Sequence, residues 1–141
     1  MPIQVLLVED NPGDVQLTRI ALEDSKIPIH LNVVEDGVEA MAFLRKQEKY
    51  VKAAHPDIVL LDFNLPRKDG REVLAEIKAD ENLKRIPVVV LTTSQSQEDI
   101  LKAYNLSANC YITKPVDFDQ FVKIVQSIEN FWFAIVKLPP E

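Results

Sequence analysis

The chain has 141 residues, 47% of them hydrophobic, which fits a single domain spanning residues 1–141 with a substantial core. Its formal net charge of −6 would repel a phosphate backbone, so we expect no direct nucleic-acid partner. The one cysteine suits a reducing compartment, and no apolar stretch approaches the roughly 20 residues of a membrane span, so we expect a cytoplasmic protein without membrane contact.

Short apolar runs alternate with helical patterns from the start of the chain. Ile3–Val8 predicts a first strand, and Asn11-Pro12 offers an N-cap followed by proline at the first position of a helix. Ile27–Val34 predicts a second strand, and the Asp36-Gly37 turn precedes a second helix.

The second half continues this alternation. A long polar connection, Lys46–Pro56, leads to a third strand at Ile58–Leu61, and the loop Asn64–Gly70 precedes a third helix. Further strands are predicted at Val88–Leu91 and Tyr111-Ile112, and capping patterns place helix starts at Ser96–Asp99 and Asp117–Gln120. Repeated strand–helix units predict an α/β fold with a parallel sheet covered on both faces.

Chemically active side chains follow four of these strands. They are Glu9, Asp10, Asp62, Thr92 and Lys114. The carboxyl ends of parallel strands meet at one edge of an open sheet, so we expect these groups to share one rim. Taken singly, Glu9 and Asp10 could be first-turn acids that favour a helix N-terminus, and Lys114 could be an ordinary exposed lysine.

The clustered acids need a compensating charge. Two carboxylates about 4 Å apart repel by roughly 4 kcal/mol at an effective dielectric near 20. A divalent cation with oxygen ligands reverses this effect, and magnesium suits a few carboxylates plus a phosphate-bearing substrate. Asp62 could then attack phosphorus, while Lys114 and Thr92 stabilise the charge on the transferring group.

With these residues in this order and spacing, the chain resembles the receiver domains of bacterial two-component response regulators over nearly its full length. The resemblance is carried by Glu9-Asp10, Asp62 within Leu60–Pro66, the Asp69-Gly70 turn, Thr92 and Lys114-Pro115. It implies a doubly wound, flavodoxin-like parallel sheet of five strands in the order 2-1-3-4-5. It also implies a signalling protein rather than an enzyme, one that catalyses only its own phosphorylation and dephosphorylation.

The resemblance further implies residue roles. Asp62 would accept a phosphoryl group from the phosphohistidine of a histidine kinase, with Lys114 and Thr92 assisting. Mg²⁺ would be held by Asp10, Asp62 and the backbone carbonyl of Asn64, with Glu9 contacting it mainly through water. Thr92 would move toward the phosphoryl group and Tyr111 would turn inward, which would change the face formed by the fourth helix, fifth strand and fifth helix.

The C-terminal segment carries more apolar surface than one helix face requires. One helical stripe contains Phe121, Val125, Ile128, Trp132 and Ile135, and further apolar residues lie beyond it. This surplus predicts a homodimer through the fourth helix, fifth strand, fifth helix and tail, although a wider intramolecular contact would also use it. The expected interface residues are Phe131, Trp132, Phe133 and Ile135.

The tail, the Lys46–Pro56 connection and the segment Asn109–Asp117 resemble the small stand-alone regulators paired with bacterial phytochrome kinases. The kinase partner would therefore be a phytochrome. The last helix nearly reaches the chain end, so we expect no output domain and a signal that passes to a separate protein.

Three rival classes share parts of this pattern. A flavodoxin-like flavin carrier needs a Ser/Thr/Gly-rich phosphate loop where this chain has Glu9-Asp10. A dehalogenase-type phosphatase usually has a second acid two residues after its aspartate, and here that position is Asn64. A pseudo-receiver, which keeps the fold but is never phosphorylated, is opposed by the complete set of phosphorylation residues.

Overall fold

The centre of the structure is a parallel sheet of five strands in the order β2-β1-β3-β4-β5. This computed structural model describes residues 3–23, 28–92, 97–106, 108, 110–113 and 119. The strands are β1 (Ile3–Val8), β2 (Ile29–Val34), β3 (Ile58–Leu61), β4 (Val88–Thr92) and β5 (Cys110–Thr113). The predicted strand order is confirmed, and the predicted start of the second strand at Ile27 lies outside the described residues.

Four α-helices are described between and after these strands. They are α1 (Pro12–Glu23), α2 (Gly37–Leu44), α3 (Gly70–Ala79) and α4 (Gln97–Asn105). Among the described residues, no helix is long and apolar enough to span a membrane. The helix predicted after Asp117, and with it the C-terminal residues 120–141, lies outside the description.

Three helices begin at side-chain caps on the rim where the strands end. Asn11 Oδ1 accepts a hydrogen bond from the Asp14 N–H at 3.1 Å, as the Asn11-Pro12 pattern predicts. The carboxylates of Asp36 and Asp69 cap α2 and α3 in the same way. These caps fix the loops that carry the candidate site residues.

The core forms two layers, one on each face of the sheet. Alternate residues of β1 point to opposite faces: Leu6 packs in the layer that includes α2 and α3, whereas Leu7 packs in the layer that includes Ala21 and Leu22 of α1. All four residues of β3 are buried, which explains its continuous apolar run. Helices therefore cover both faces, as the doubly wound prediction requires.

The long connection before β3 has one aromatic anchor. It contains a 3₁₀ helix, Glu48–Tyr50, and the Tyr50 ring lies 5.3 Å from the Phe43 ring of α2. Tyr50 is partly buried against the core, so this polar segment is held on the domain rather than extended into solvent.

Candidate functional site

Three carboxylates meet at the carboxyl ends of the central strands. Oxygen atoms of Glu9, Asp10 and Asp62 all lie within 4.8 Å of one another. Glu9 is only 2% exposed and Asp62 only 6%, whereas Asp10 is exposed. The structure therefore brings together the three acids that the sequence predicts as metal ligands.

Strand register accounts for this meeting. Val8 and Leu61 are partners in the β1–β3 pairing, so the residues that follow them emerge side by side. The Asp62 N–H donates to the Val8 carbonyl at 3.1 Å, which continues the ladder to the rim. A carboxylate oxygen of Glu9 accepts from the Asn11 N–H at 3.2 Å. The backbone thus fixes the acids despite their mutual repulsion.

Two donors converge on one oxygen of Asp62. The fully buried Thr92 hydroxyl donates to Asp62 Oδ1 at 2.7 Å, and the Asn64 N–H donates to the same atom at 3.0 Å. The Asn64 side-chain amide also lies 3.4 Å from Thr92 Oγ1. The structure therefore brings Thr92 and Asn64 beside Asp62, and the Asn64–Thr92 contact is an addition from the structure.

Arg71 organises the loop behind Asp62 and was missed by sequence reasoning. Its guanidinium donates to Asp99 of α4 at 2.6 Å from Nε, to Asp69 at 2.9 Å, and to the Phe63 carbonyl at 3.3 Å. The hydrogen bond with Asp99 is the main reason that the pKa of Arg71 is raised further above its already high ordinary value. Sequence spacing gives no sign that residues 71 and 99 meet, so only the tertiary structure reveals this pair.

A cleft of about 570 Å³ opens beside the acids and is lined by Glu9, Asp10 and residues of α1, α2 and the 3₁₀ segment. On its wall, Glu39 accepts from Lys49 Nζ and from the Tyr50 hydroxyl, each at 3.0 Å. These two hydrogen bonds, that of Lys49 first, lower the pKa of Glu39. The cleft gives the carboxylate cluster an open approach from solvent.

Several predicted site residues lie partly or wholly outside the described residues. The main chain of Tyr111 lies in β5 opposite Val90, and its side chain is outside the description. Lys114 and the predicted interface residues Phe131, Trp132, Phe133 and Ile135 also lie outside the described residues.

The fold and the site together define a doubly wound α/β domain with an acidic pocket where the strand order reverses, between β1 and β3. The family model of the response regulator receiver domain matches residues 5–126, and the chain belongs to this family. The receiver resemblance found in the sequence is therefore confirmed, and this protein is a response regulator.

The similar proteins are response regulators, and one of them is a phytochrome response regulator. Response regulator Rcp1 of Synechocystis sp. is 50% identical over 138 residues, which cover 98% of this chain and 94% of Rcp1. The phosphorylated cyanobacterial phytochrome response regulator RcpA matches with a TM-score of 0.96 and 51% identity, covering 99% of this chain and 100% of that one. The Mn²⁺-bound form of Rcp1 matches with a TM-score of 0.95 and 50% identity, again over 99% and 100% of the two chains.

Proposed function

We propose that this response regulator accepts a phosphoryl group on Asp62 from the phosphohistidine of a histidine kinase. The observation that carries the proposal is the buried Asp62 carboxylate, which accepts a hydrogen bond from the Thr92 hydroxyl and lies beside two further acids at the sheet edge. The similarity to the phosphorylated RcpA structure supports it. The competing pseudo-receiver would not need this arrangement of acids around a hydrogen-bonded carboxylate.

A divalent cation fits the acidic pocket. Three carboxylate oxygens within 4.8 Å match the oxygen ligands that hard cations prefer, and their repulsion would otherwise oppose folding. We assign Mg²⁺ to Asp10, Asp62 and the backbone carbonyl of Asn64, with Glu9 acting mainly through water. The Mn²⁺-bound form of Rcp1 supports a divalent ion. When bound, the cation would supply positive charge to the oxygens of the transferring phosphoryl group.

The chain's own residues would perform the transfer. An Asp62 carboxylate oxygen forms the new O–P bond while the P–N bond to the kinase imidazole breaks, and that bond's electron pair returns to the imidazole nitrogen. The Thr92 hydroxyl, now 2.7 Å from Asp62 Oδ1, is close enough to donate to the transferred group. The Lys114 ammonium would complete the stabilisation of charge.

The partner would be a phytochrome histidine kinase, since the similar protein RcpA, 51% identical to this chain, is a phytochrome response regulator. As a single receiver domain in the cytoplasm, the protein would turn over no separate substrate and would contact neither nucleic acid nor membrane directly.

Its signal would depend on Thr92 and Tyr111 changing the surface formed by α4, β5 and the C-terminal segment. On that surface Leu101 and Tyr104, three positions apart on α4, are 61% and 53% exposed, which favours a homodimer there.

Intact mass spectrometry after incubation with acetyl phosphate and Mg²⁺ tests the phosphoryl transfer. We expect one labile adduct of a phosphoryl group in the parent protein, and none in Asp62→Asn or after chelation. If the parent stays unmodified by acetyl phosphate and by a phosphorylated phytochrome kinase, the pseudo-receiver alternative replaces this proposal.

A further inference from the structure

Arg71 connects two parts of the molecule that the phosphorylation site must link. Through Nη1 it donates to the carbonyl of Phe63, the residue between Asp62 and Asn64, and its guanidinium carbon lies 5.0 Å from the centre of the Phe63 ring. Through Nε and Nη2 it donates hydrogen bonds to both carboxylate oxygens of Asp99 in α4. One planar cation therefore contacts the turn that carries Asp62 and the helix of the proposed signalling surface.

This pair differs from the other ion pairs of α3. Asp99 is buried and Arg71 is half-buried, and the bidentate geometry fixes both partners. Lys68, by contrast, pairs with Glu76 of α3 itself and does not reach α4 in any described contact. Arg45 pairs with Glu76 at 3.4 Å in a more exposed setting. Among the described ion pairs, that of Arg71 and Asp99 joins α3 to α4.

We propose that Arg71 is a positioning residue that couples the Asp62–Asn64 turn to α4, an inference that rests on the phosphorylation of Asp62 proposed above. A shift of the Phe63 carbonyl when Asp62 is modified must either move the guanidinium, and with it Asp99, or break a hydrogen bond. The equilibrium position of α4 then depends on the state of Asp62 through a physical contact that does not involve Thr92 or Tyr111.

The coupling depends on the planar guanidinium, which presents several N–H donors in a fixed arrangement. A lysine at position 71 keeps the positive charge near the acidic pocket but cannot hold two carboxylate oxygens and the Phe63 carbonyl together. Arg71→Lys therefore separates geometry from charge. Asp99→Asn weakens the same link from the α4 side, because its amide offers one acceptor oxygen and no negative charge, and it does not touch the turn. Lys68→Gln is the matched control, because it removes a cation from the same loop and leaves the link to α4 intact.

The test combines intact mass with hydrogen exchange of a peptide covering residues 97–105, before and after treatment with acetyl phosphate and Mg²⁺. We expect phosphorylation to change exchange in this peptide at least twofold in the parent and in Lys68→Gln. In Arg71→Lys and Asp99→Asn we expect less than half of that change, although the adduct still forms. Unchanged exchange in peptides of β1 and β3 verifies that each variant is folded.

Distinct results overturn the two proposals. A parent protein that takes up no phosphoryl group from acetyl phosphate or from a phosphorylated kinase overturns the proposed function and this inference with it. A phosphorylated parent whose α4 exchange does not change, or changes equally in Arg71→Lys and Asp99→Asn, overturns the role of Arg71 alone.

Discussion

Gly70 packs directly against the main chain of Asp62: a Cβ added at Gly70 would lie 2.1 Å from the Asp62 carbonyl oxygen and 2.6 Å from the Cα of Phe63. The Gly70 N–H also donates to the Phe63 carbonyl at 3.0 Å. The glycine is therefore required by close approach, because it lets the first turn of α3 support the segment that carries Asp62, the proposed phosphoryl acceptor.

We expect Gly70→Ala to destabilise the protein by about 2 kcal/mol or more, since the clash is with backbone atoms that cannot rotate away. We also expect slower uptake of phosphoryl groups, because the Asp62 segment must shift. Urea unfolding and intact mass measure the two effects.

Gly13→Ala in α1 is the matched control. Its added Cβ would meet only the Asn11 side chain, at 3.1 Å. The Asn11 side-chain oxygen caps α1 and must give by a few tenths of an ångström, which offsets the helix propensity of alanine. We therefore expect stability to change by no more than about 1 kcal/mol in either direction. Equal losses in the two variants would show that the packing under Asp62 has no special role.

Removing one charge from the acidic cluster should stabilise the metal-free protein. Asn at position 62 can still accept hydrogen bonds from Thr92 and Asn64 through its amide oxygen, so repulsion is the main interaction lost. We expect Asp62→Asn to gain about 1 to 3 kcal/mol in chelator, from carboxylates within 4.8 Å of one another.

Magnesium should stabilise the parent protein more than it stabilises Asp62→Asn. Millimolar Mg²⁺ should raise the melting temperature of the parent by binding only the folded state, and should raise that of Asp62→Asn much less. Glu81→Gln, which removes a highly exposed charge, should respond to Mg²⁺ like the parent. A parent melting curve that is the same with Mg²⁺ and with chelator would argue against the metal site.

The Thr92 hydroxyl should contribute to phosphorylation more than the Thr92 methyl group. Thr92→Ala removes the donor to Asp62 Oδ1, and we expect at least tenfold slower adduct formation, equivalent to about 1.4 kcal/mol. Thr92→Ser keeps the hydroxyl and should stay within about threefold of the parent rate, which is under 1 kcal/mol. Time courses with acetyl phosphate compare the rates, and equal losses in both variants would assign the effect to packing.

The acidic pocket was predictable because local sequence determines it. A strand of four buried apolar residues before Asp62 and another before Glu9 place their successors at one edge once the strands pair in parallel. Thr92 follows from the same rule. Caps such as Asn11 were readable because the bonded atoms lie three residues apart.

Arg71 could not be found this way. Its partner Asp99 is 28 residues distant, and the contact depends on how α3 and α4 pack on the sheet. The close approach of Gly70 to Asp62 also depends on tertiary packing, although the Asp69-Gly70 turn itself is evident from sequence. Pairwise contacts between helices are set by the assembled core, and periodicity in one segment does not encode them.

Glu39 should make the stability of the parent depend on acid pH. Lys49 and Tyr50 donate to its carboxylate and lower its pKa below the ordinary value of 4.5. A carboxylate with a lowered folded-state pKa stabilises the fold above pH 4.5, and this contribution is lost as the pH falls through the folded-state pKa. We therefore expect Glu39→Gln to be less stable than the parent at pH 7. Well below about pH 4, where a glutamate carboxylate is protonated, the two proteins should be nearly equally stable.

Urea midpoints at the two pH values measure this difference, which should be small because the site is open to solvent. Tyr50→Phe removes one of the two donors and should give an intermediate result. A gap between the parent and Glu39→Gln that widens in acid would contradict the sign of the pKa shift.

The proposed homodimer should depend on α4 together with the C-terminal aromatic residues. Leu101 and Tyr104 expose apolar surface on one side of α4, and Trp132 and Phe131 supply the large side chains that dominate interface energies. We expect Leu101→Ala with Tyr104→Ala, and separately Phe131→Ala with Trp132→Ala, to weaken dimerisation at least tenfold, about 1.4 kcal/mol. Val51→Ala is the control, because Val51 is equally exposed but lies on the connection before β3. Light scattering over a concentration series measures the dimer, and a dimer that survives both double substitutions would place the interface on another face.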